Sequence, residues 1–187
     1  MAAQQARIYQ MIPEEVALLE RCLQQDRLAQ KELYDKYKDA MYTLCYRITN
    51  DFELAQDALQ EAFVGVFRGL NKFRKQSSLG AWIKTIVVRT AYRKVKQQNQ
   101  IFFEPIENIP DNVLLDWGEY IVPAYLERAI QSLPPGYRSV FVLVEVEGYS
   151  HKEVAEMLSI SVGTSKSQLY HSKRQLQKKL RAWGENR

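Results

Sequence analysis

Apolar side chains recur at steps of three and four residues through most of this 187-residue sequence. Between residues 27 and 48 the stripe consists of Leu33, Tyr34, Tyr37, Met41, Leu44, Cys45 and Ile48. This step matches one face of an α-helix rather than the alternation of a strand. YRSVFVLVEVEG at 137–148 is β-branched enough to favour a strand, but no second strand is available to pair with it, so we predict a helix there too. The sequence therefore predicts an all-α protein.

Prolines and acidic residues interrupt the helical pattern between residues 98 and 123. We therefore expect a leader over 1–13, a four-helix domain over 14–97, a flexible linker over 98–123 and a second helical domain over 124–187. The linker holds too many aromatic and aliphatic residues for a purely solvated tether, so part of it is expected to dock on this protein or on a partner.

Composition excludes several classes of protein. The sequence has only two cysteines, Cys22 and Cys45, which cannot hold together a secreted mini-protein. No apolar run approaches the ~18 residues of a membrane span, and the first residues lack the apolar stretch of a secretory signal. These features predict a soluble, cytoplasmic protein.

Catalytic and metal-binding patterns are absent from the sequence. His151 and His171 are its only histidines, and neither they nor the cysteines have zinc-site spacing. There is no glycine-rich phosphate loop and no Gly-x-Ser-x-Gly elbow. We expect no enzymatic activity, no metal, no cofactor and no small-molecule substrate.

The modest net charge of +4 is unevenly distributed. Every charged residue from Lys72 to Lys96 is basic, as is every one from Gly163 to Arg181, while the segment between these blocks is mainly acidic. Two basic blocks predict two sites for a polyanion, with a connector that a polyanion repels. Two solvated helix faces are the alternative.

The last forty residues have the layout of a helix-turn-helix. Ser150 and Glu153 form a candidate capping box, residues 159–161 a turn, and a second helix starts near Val162. Its inner face is expected to carry Ser165, Leu169, Ser172, Leu176 and Leu180. Its outer face is expected to carry Lys166, Ser167, Gln168, His171, Lys173, Arg174 and Lys178, as in a helix that enters the major groove. A solvated helical hairpin is the alternative.

The first basic block mixes cations with aromatic and hydroxyl side chains. Its loop carries Lys72, Phe73, Arg74, Lys75, Ser77 and Ser78, and the following helix carries Trp82, Lys84, Arg89, Tyr92 and Arg93. This mixture suits single-stranded nucleic acid, and a loop can form a pocket for a flipped base. Phe73 and Trp82 as core residues are the alternative.

Upstream, Asp57, Gln60 and Glu61 share a helix face that suits a basic partner or remains solvated.

The motifs D-x-x-Q-E-x-F at 57–63, F-R-x-x-S…W at 73–82 and G-T-x-K-S at 163–167 occur in this order. With SLPPGYRSVF and GYSHKEVAEML, they make the chain resemble the extracytoplasmic-function (ECF) sigma factors of bacterial RNA polymerase over residues 14–97 and 124–181. The resemblance implies a region 2 domain followed by a region 4 domain. It also implies a factor that directs core polymerase to promoters and helps to open the DNA.

The resemblance implies roles for individual residues. Asp57, Gln60, Glu61 and Phe63 correspond to the patch that docks on the clamp helices of the largest polymerase subunit. Lys72, Phe73, Arg74, Lys75, Ser77, Ser78, Trp82, Lys84, Arg89 and Arg93 correspond to the surface for the melted minus-ten strand. Thr164, Lys166, Ser167, Gln168, His171 and Arg174 correspond to the reader of the duplex minus-thirty-five element.

The family pattern also implies partners and marks departures. The partners are core polymerase, including its flap, promoter DNA, and an anti-sigma factor that is often membrane-bound; the linker would thread through the polymerase channels. Arg89 replaces the common Asn, Ser165 an aliphatic residue, and Gln168 and His171 the frequent Arg.

Two other functions remain open from the sequence. One is a helix-turn-helix regulator that binds duplex operators without being a polymerase subunit. The other is a helical interaction module in which the basic blocks are incidental.

Overall fold

The computed structural model describes residues 11–99 and 123–184, and within these ranges the chain is helical, with no strand. The elements are α1 (Pro13–Leu23), α2 (Arg27–Thr49), α3 (Phe52–Gly69), a 3₁₀ turn (Leu70–Lys72), α4 (Leu79–Asn99), α5 (Pro123–Gln131), α6 (Pro135–Phe141), a π-helical segment (Val142–Val146), α7 (His151–Leu158) and α8 (Val162–Gly184). The all-α prediction is confirmed.

The described residues fall into two compact units. One contains residues 11–46 and 51–91, and the other contains residues 47–50, 92–99 and 123–184. Residues 1–10 and 100–122 lie outside the described residues, and with them most of the expected leader and linker. Those two assignments stay predictions.

Acidic side chains begin two of the N-terminal helices. The Asp26 carboxylate accepts hydrogen bonds from the Leu28 and Ala29 amides at 2.8 and 3.3 Å. The Asp51 carboxylate accepts one from the Leu54 amide at 2.8 Å. Each carboxylate satisfies amides that have no partner within their own helix and interacts favourably with the helix dipole. These caps fix the points at which α2 and α3 begin.

The core of the first unit includes fully buried side chains from α2, α3 and α4. Leu33, Val66 and Ile83 are 0% exposed, and Val87 is buried beside Ile83 at a step of four residues. With Leu79 these two residues form the buried stripe of α4, and Trp82 and Ile86 beside this stripe are half-buried.

In the second unit, α8 packs against α5, α6 and α7. Leu176 of α8 and Leu143 of the π-helical segment are fully buried. The segment predicted as helix despite its β-branched residues is indeed helical, but it widens into π-helix after Phe141. There the Glu147 amide donates to the Val142 carbonyl, five residues earlier in the chain. Such widened turns are rare in α-helical proteins.

A capping box begins α7, as the sequence predicts. The Glu153 amide donates to the Ser150 hydroxyl at 3.3 Å, and the Ser150 amide donates to the Glu153 carboxylate at 2.8 Å. At the other end, Ser159 adopts a left-handed conformation with φ of 54°. The chain turns there and enters α8, so both ends of α7 are set by local side-chain and backbone chemistry.

Ser150→Ala removes one half of the capping box. We expect the free energy of unfolding to fall by about 1 kcal/mol, because an amide of α7 loses its partner. Urea denaturation followed by circular dichroism measures this. Glu156→Ala, an exposed change in the same helix, is the control. An unchanged urea midpoint for Ser150→Ala would contradict the role of the cap.

Candidate nucleic-acid interface

One face of α8 carries an exposed cationic stripe, defined here as Lys166, Arg174, Lys178 and Arg181. These residues recur at steps of eight, four and three, so their side chains lie along one side of the helix. Thr164 lies in the first turn, where the Ser161 hydroxyl accepts its amide hydrogen at 2.8 Å. A capped first turn followed by a row of cations has the arrangement that a duplex-reading helix requires.

Tyr170 belongs to this face and was missed by the sequence reasoning. Its ring centroid lies 5.7 Å from the Arg174 guanidinium carbon, a cation–π contact. The step of four from Lys166 through Tyr170 to Arg174 is the signal that would have found it. The ring restrains the guanidinium and adds an aromatic surface between two cations.

The structure corrects the exposure expected for Ser167 and Gln168. The sequence placed both side chains on the outer face, but they are 3% and 4% exposed. Gln168 lies three residues from Ser165 and four from Ser172, both fully buried, so helical geometry places it beside the covered side. In this conformation neither residue can reach a base edge.

His171 is braced by aromatic rings. It is half-buried, and its ring stacks on Tyr137 of α6 with centroids 5.6 Å apart. Tyr170 forms an edge-to-face pair with the same ring, with centroids 5.3 Å apart. Its Nε2 is buried and has no hydrogen-bond partner among the described residues. The ring therefore links α6 to α8 at a position that the sequence assigned to base reading.

Lys173 differs from the other cations of α8. Its ammonium nitrogen lies 2.7 Å from the carboxylate of Glu145 in the π-helical segment. This ion pair neutralises Lys173 and joins α8 to the segment. The sequence placed Lys173 on the outer face, but its charge is directed to an acid of its own unit.

The first turns of α7 and α8 are joined by a hydrogen bond. His151 Nδ1 lies 2.9 Å from the Ser165 hydroxyl oxygen, and Ser165 is fully buried. Burial is the main reason that the pKa of His151 is lowered; Lys166 and Lys173 lower it further, and Glu145 opposes them. The lowered pKa of His151 therefore favours the neutral imidazole.

The loop before α4 forms a second cationic surface. Lys72 and Arg74 are exposed, while Phe73, Lys75, Ser77 and Ser78 are half-buried. Lys75 adopts a left-handed conformation with φ of 55°, which is uncommon for a residue with a side chain. The Ser78 hydroxyl accepts the Ala81 amide hydrogen at 3.2 Å and so caps α4.

Two aromatic rings meet at the base of this loop. The Phe73 and Trp82 centroids are 5.4 Å apart with an interplanar angle of 44°. Both rings are half-buried, so neither of the two expectations, core residue or exposed base platform, describes them fully. Each contributes to packing and leaves part of its surface for a ligand.

Helix α4 carries Arg89 and Arg93, two further cations named from the sequence. Both are exposed and lie four residues apart, while Lys84 is half-buried one turn earlier. Tyr92, named with them from the sequence, is instead 4% exposed, and burial raises the pKa of its phenol. The helix therefore presents cations outward and keeps its tyrosine inside.

The acidic face of α3 lies on the surface as expected. Asp57, Gln60 and Glu61 are exposed, and Val64, one turn further on, is 48% exposed. The structure corrects the exposure expected for Phe63, which is 3% exposed. Its ring forms an edge-to-face pair with Tyr34, with the ring centroids 4.8 Å apart. Phe63 therefore supports the acidic face from inside, and Val64 is the apolar residue beside it.

Two other kinds of site are absent from the described part of the chain. Among residues 11–99 and 123–184, no group of His, Cys, Asp and Glu side chains has the arrangement of a metal site. No helix in the same ranges has the length and hydropathy that crossing a membrane requires.

Comparison with family models matches both parts of the chain. The model described as Sigma-70 region 2 matches residues 33–101, and the model described as Sigma-70, region 4 matches residues 124–176. The first match contains the loop before α4 and the acidic face of α3. The second contains the first half of α8.

Named relatives agree with these matches. The chain is 28% identical over 152 residues to the ECF RNA polymerase sigma factor SigE of Mycolicibacterium smegmatis, covering 78% of this chain and 59% of that protein. It is 30% identical over 181 residues to the RNA polymerase sigma-H factor of Pseudomonas aeruginosa, covering 87% of this chain and 92% of that protein.

A solved structure shares the fold. The sigma factor RpoE of Bartonella quintana, crystallised in complex with the anti-sigma factor NepR, superposes with a TM-score of 0.53 at 21% sequence identity, covering 81% of this chain and 96% of that one. The two basic surfaces, the two matched regions and these relatives agree in one conclusion, which is that the chain belongs to the RNA polymerase sigma factors.

Proposed function

We propose that this sigma factor reads its promoters with two surfaces that suit two forms of DNA. The observation that carries the proposal is the difference in their shape. The cations of α8 form a straight stripe on one helix, which suits an intact duplex. The cations of the loop before α4 are neighbours in sequence of two half-buried aromatic rings that contact each other, which suits an unstacked single strand.

The α8 stripe is proposed to bind the minus-thirty-five element in the major groove. Thr164 and Lys166 lie in the first turns, where a recognition helix meets base edges. Arg174, Lys178 and Arg181 lie further along and meet phosphates. Tyr170 is placed between these two groups. Ser167 and Gln168 are left out of the contact surface because they are buried, and His171 serves in it through its half-exposed ring.

Lys166→Ala is expected to lower transcription from promoters that depend on the upstream element by about tenfold, the size of one base-edge contact. Run-off transcription with the reconstituted holoenzyme measures this. Arg128→Ala removes an exposed cation of the same unit and should leave transcription unchanged. Equal losses for the two variants would indicate a general charge effect and contradict the assignment.

The loop before α4 is proposed to capture the melted minus-ten strand. Lys72, Arg74, Arg89 and Arg93 meet phosphates. Phe73 and Trp82 present ring surface to a base that has left the stack, and the Ser77 and Ser78 hydroxyls and the Lys75 ammonium lie in the same loop. Melting then requires binding energy alone, because the opened strand is held while the closed duplex is not. No covalent step is needed, so we propose a factor without enzymatic activity.

Trp82→Ala and Arg74→Ala are expected to leave closed-complex binding intact and to slow strand opening by about tenfold, since one base–aromatic stack is worth 1–3 kcal/mol. Permanganate footprinting of the minus-ten region measures opening. Arg74→Ala removes an exposed charge and leaves the packed ring in place. Lys31→Ala, an exposed cation of α2, is its control. Normal permanganate reactivity in both variants would refute the single-strand assignment.

The exposed face of α3 is proposed to dock on the clamp helices of the largest polymerase subunit. Asp57, Gln60 and Glu61 would meet basic side chains there, with Val64 as an apolar contact beside them. Region 4 would rest on the flap. An acidic docking face explains why a protein that binds DNA keeps negative charge on one helix.

An anti-sigma protein is proposed as a further partner. The related fold of Bartonella quintana RpoE was solved in complex with the anti-sigma factor NepR. We infer that a protein of this kind holds the present chain inactive until a signal releases it, and that it is anchored in the membrane while the sigma factor acts in the cytoplasm.

The function as a whole is tested by mixing the purified chain with core polymerase and sequencing the transcripts made from genomic DNA. We expect discrete start sites preceded by a shared pair of motifs, because two readers at a fixed spacing select both motifs together. The free chain should bind the same fragments weakly. Tight operator binding by the free chain, with no new start sites, would support the operator-binding regulator instead.

A further inference from the structure

The buried serine in the first turn of α8 has a partner on the neighbouring helix. Ser165 is 0% exposed, and its hydroxyl oxygen lies 2.9 Å from Nδ1 of His151, the first residue of α7. A buried hydroxyl that loses its partner destabilises the fold. The bond therefore ties the first turn of α7 to the first turn of α8.

Ser165 lies between the two residues proposed to meet base edges, Thr164 and Lys166. A shift of this turn moves both of them together. Hydrogen bonds are directional, whereas apolar contacts allow sliding and rotation. A bond at this position therefore restrains the orientation of the reading turn more narrowly than apolar packing does.

A second cross-contact holds α8 further along. Lys173 pairs with Glu145 at 2.7 Å, two helical turns after Ser165. The ion pair leaves two long, partly exposed side chains free to adjust. The His151–Ser165 bond is short, and it joins a half-buried residue to a buried one. It is therefore the contact that controls the first turn.

We propose that His151 is a positioning residue for promoter recognition, which sets the orientation of the first turn of α8 through its hydrogen bond to Ser165. The proposal rests on the proposed function of α8 as the reader of duplex DNA. His151 acts through Ser165 and requires no contact with DNA.

The charged groups that face His151 predict how recognition depends on pH. Lys166 and Lys173 on α8 disfavour an imidazolium, and Glu145 on the π-helical segment favours it; burial outweighs both, and the pKa is lowered from 6.5. A lowered pKa means that the folded state favours the neutral ring of His151. The contribution of this neutral ring to stability is full above pH 6.5 and is lost as the pH falls through the lowered pKa.

The experiment uses the full chain with core polymerase. Its probes are a promoter fragment found by transcript sequencing and the same fragment with the upstream element scrambled. The ratio of transcripts from the two fragments is the discrimination ratio. His151→Leu and Ser165→Ala should each lower it about fivefold, as expected for one hydrogen bond. The double variant should be no lower than either single one, because both remove the same bond.

Conservative variants separate positioning from packing. The amide of His151→Asn occupies the place of Nδ1 and should keep the ratio within about twofold of wild type. The amide of His151→Gln lies further out, in the place of Nε2, and should not. Lys152→Ala, an exposed change beside His151, is the control. The wild-type ratio should hold down to about pH 6.5 and fall as the pH is lowered further, and that of His151→Asn should not fall.

The outcomes distinguish this inference from the proposed function. A wild-type ratio near one overturns both. A large wild-type ratio that His151→Leu leaves unchanged, with thermal unfolding like that of wild type, overturns the role of His151 alone. Should His151→Leu fail to fold, the Asn and Gln variants and the pH profile decide. Equal ratios for those two variants with a flat wild-type pH profile then reject the proposal.

Discussion

The burial of one side of α8 is the constraint on which the DNA-reading surface depends. Leu169, Ser172 and Leu176 are covered by α5, α6 and α7. Since a helix has only two broad sides, fixing one side determines which residues face outward. Ser165 and Ser172, both fully buried, lie on the same covered side. The cations at 166, 174, 178 and 181 face outward because the other side of α8 is covered by its neighbours.

The two units use the same charge in different geometries. On α8 the cations follow a regular helix, whose stripe is straight and matches the groove of a rigid duplex. Before α4 they sit on an irregular loop with a left-handed residue and two half-buried rings. An irregular loop can surround a single base, which a smooth helix cannot. Local backbone geometry, more than charge, therefore distinguishes the two surfaces.

Buried or paired polar groups give α8 its orientation as well as its stability. His151 meets Ser165, Glu145 meets Lys173, and His171 stacks on Tyr137. Each of these contacts joins α8 to a different neighbour. Apolar packing alone would leave the helix free to rotate by small amounts, and base edges are read at hydrogen-bond distances that small rotations disturb.

The sequence by itself determined the helices, their caps and the locations of the basic blocks. These follow from local rules: the three- and four-residue steps, the acids at Asp26 and Asp51, and the Ser150–Glu153 box all act within a few residues. The family resemblance then assigned roles to these blocks, and the comparisons confirmed the family. The second helix of the helix-turn-helix was expected to start near Val162, and α8 begins there.

Only the tertiary structure decided which side chains reach the surface. Phe63 and Ser167 lie in the motifs that predict function, and Gln168 directly follows one of them, yet all three are buried. Tyr170, outside the predicted set, lies on the reading face. Helical spacing gives the angle of a side chain around its own helix, but its exposure depends on which neighbours cover that angle. Those neighbours are distant in sequence, so no local pattern specifies them.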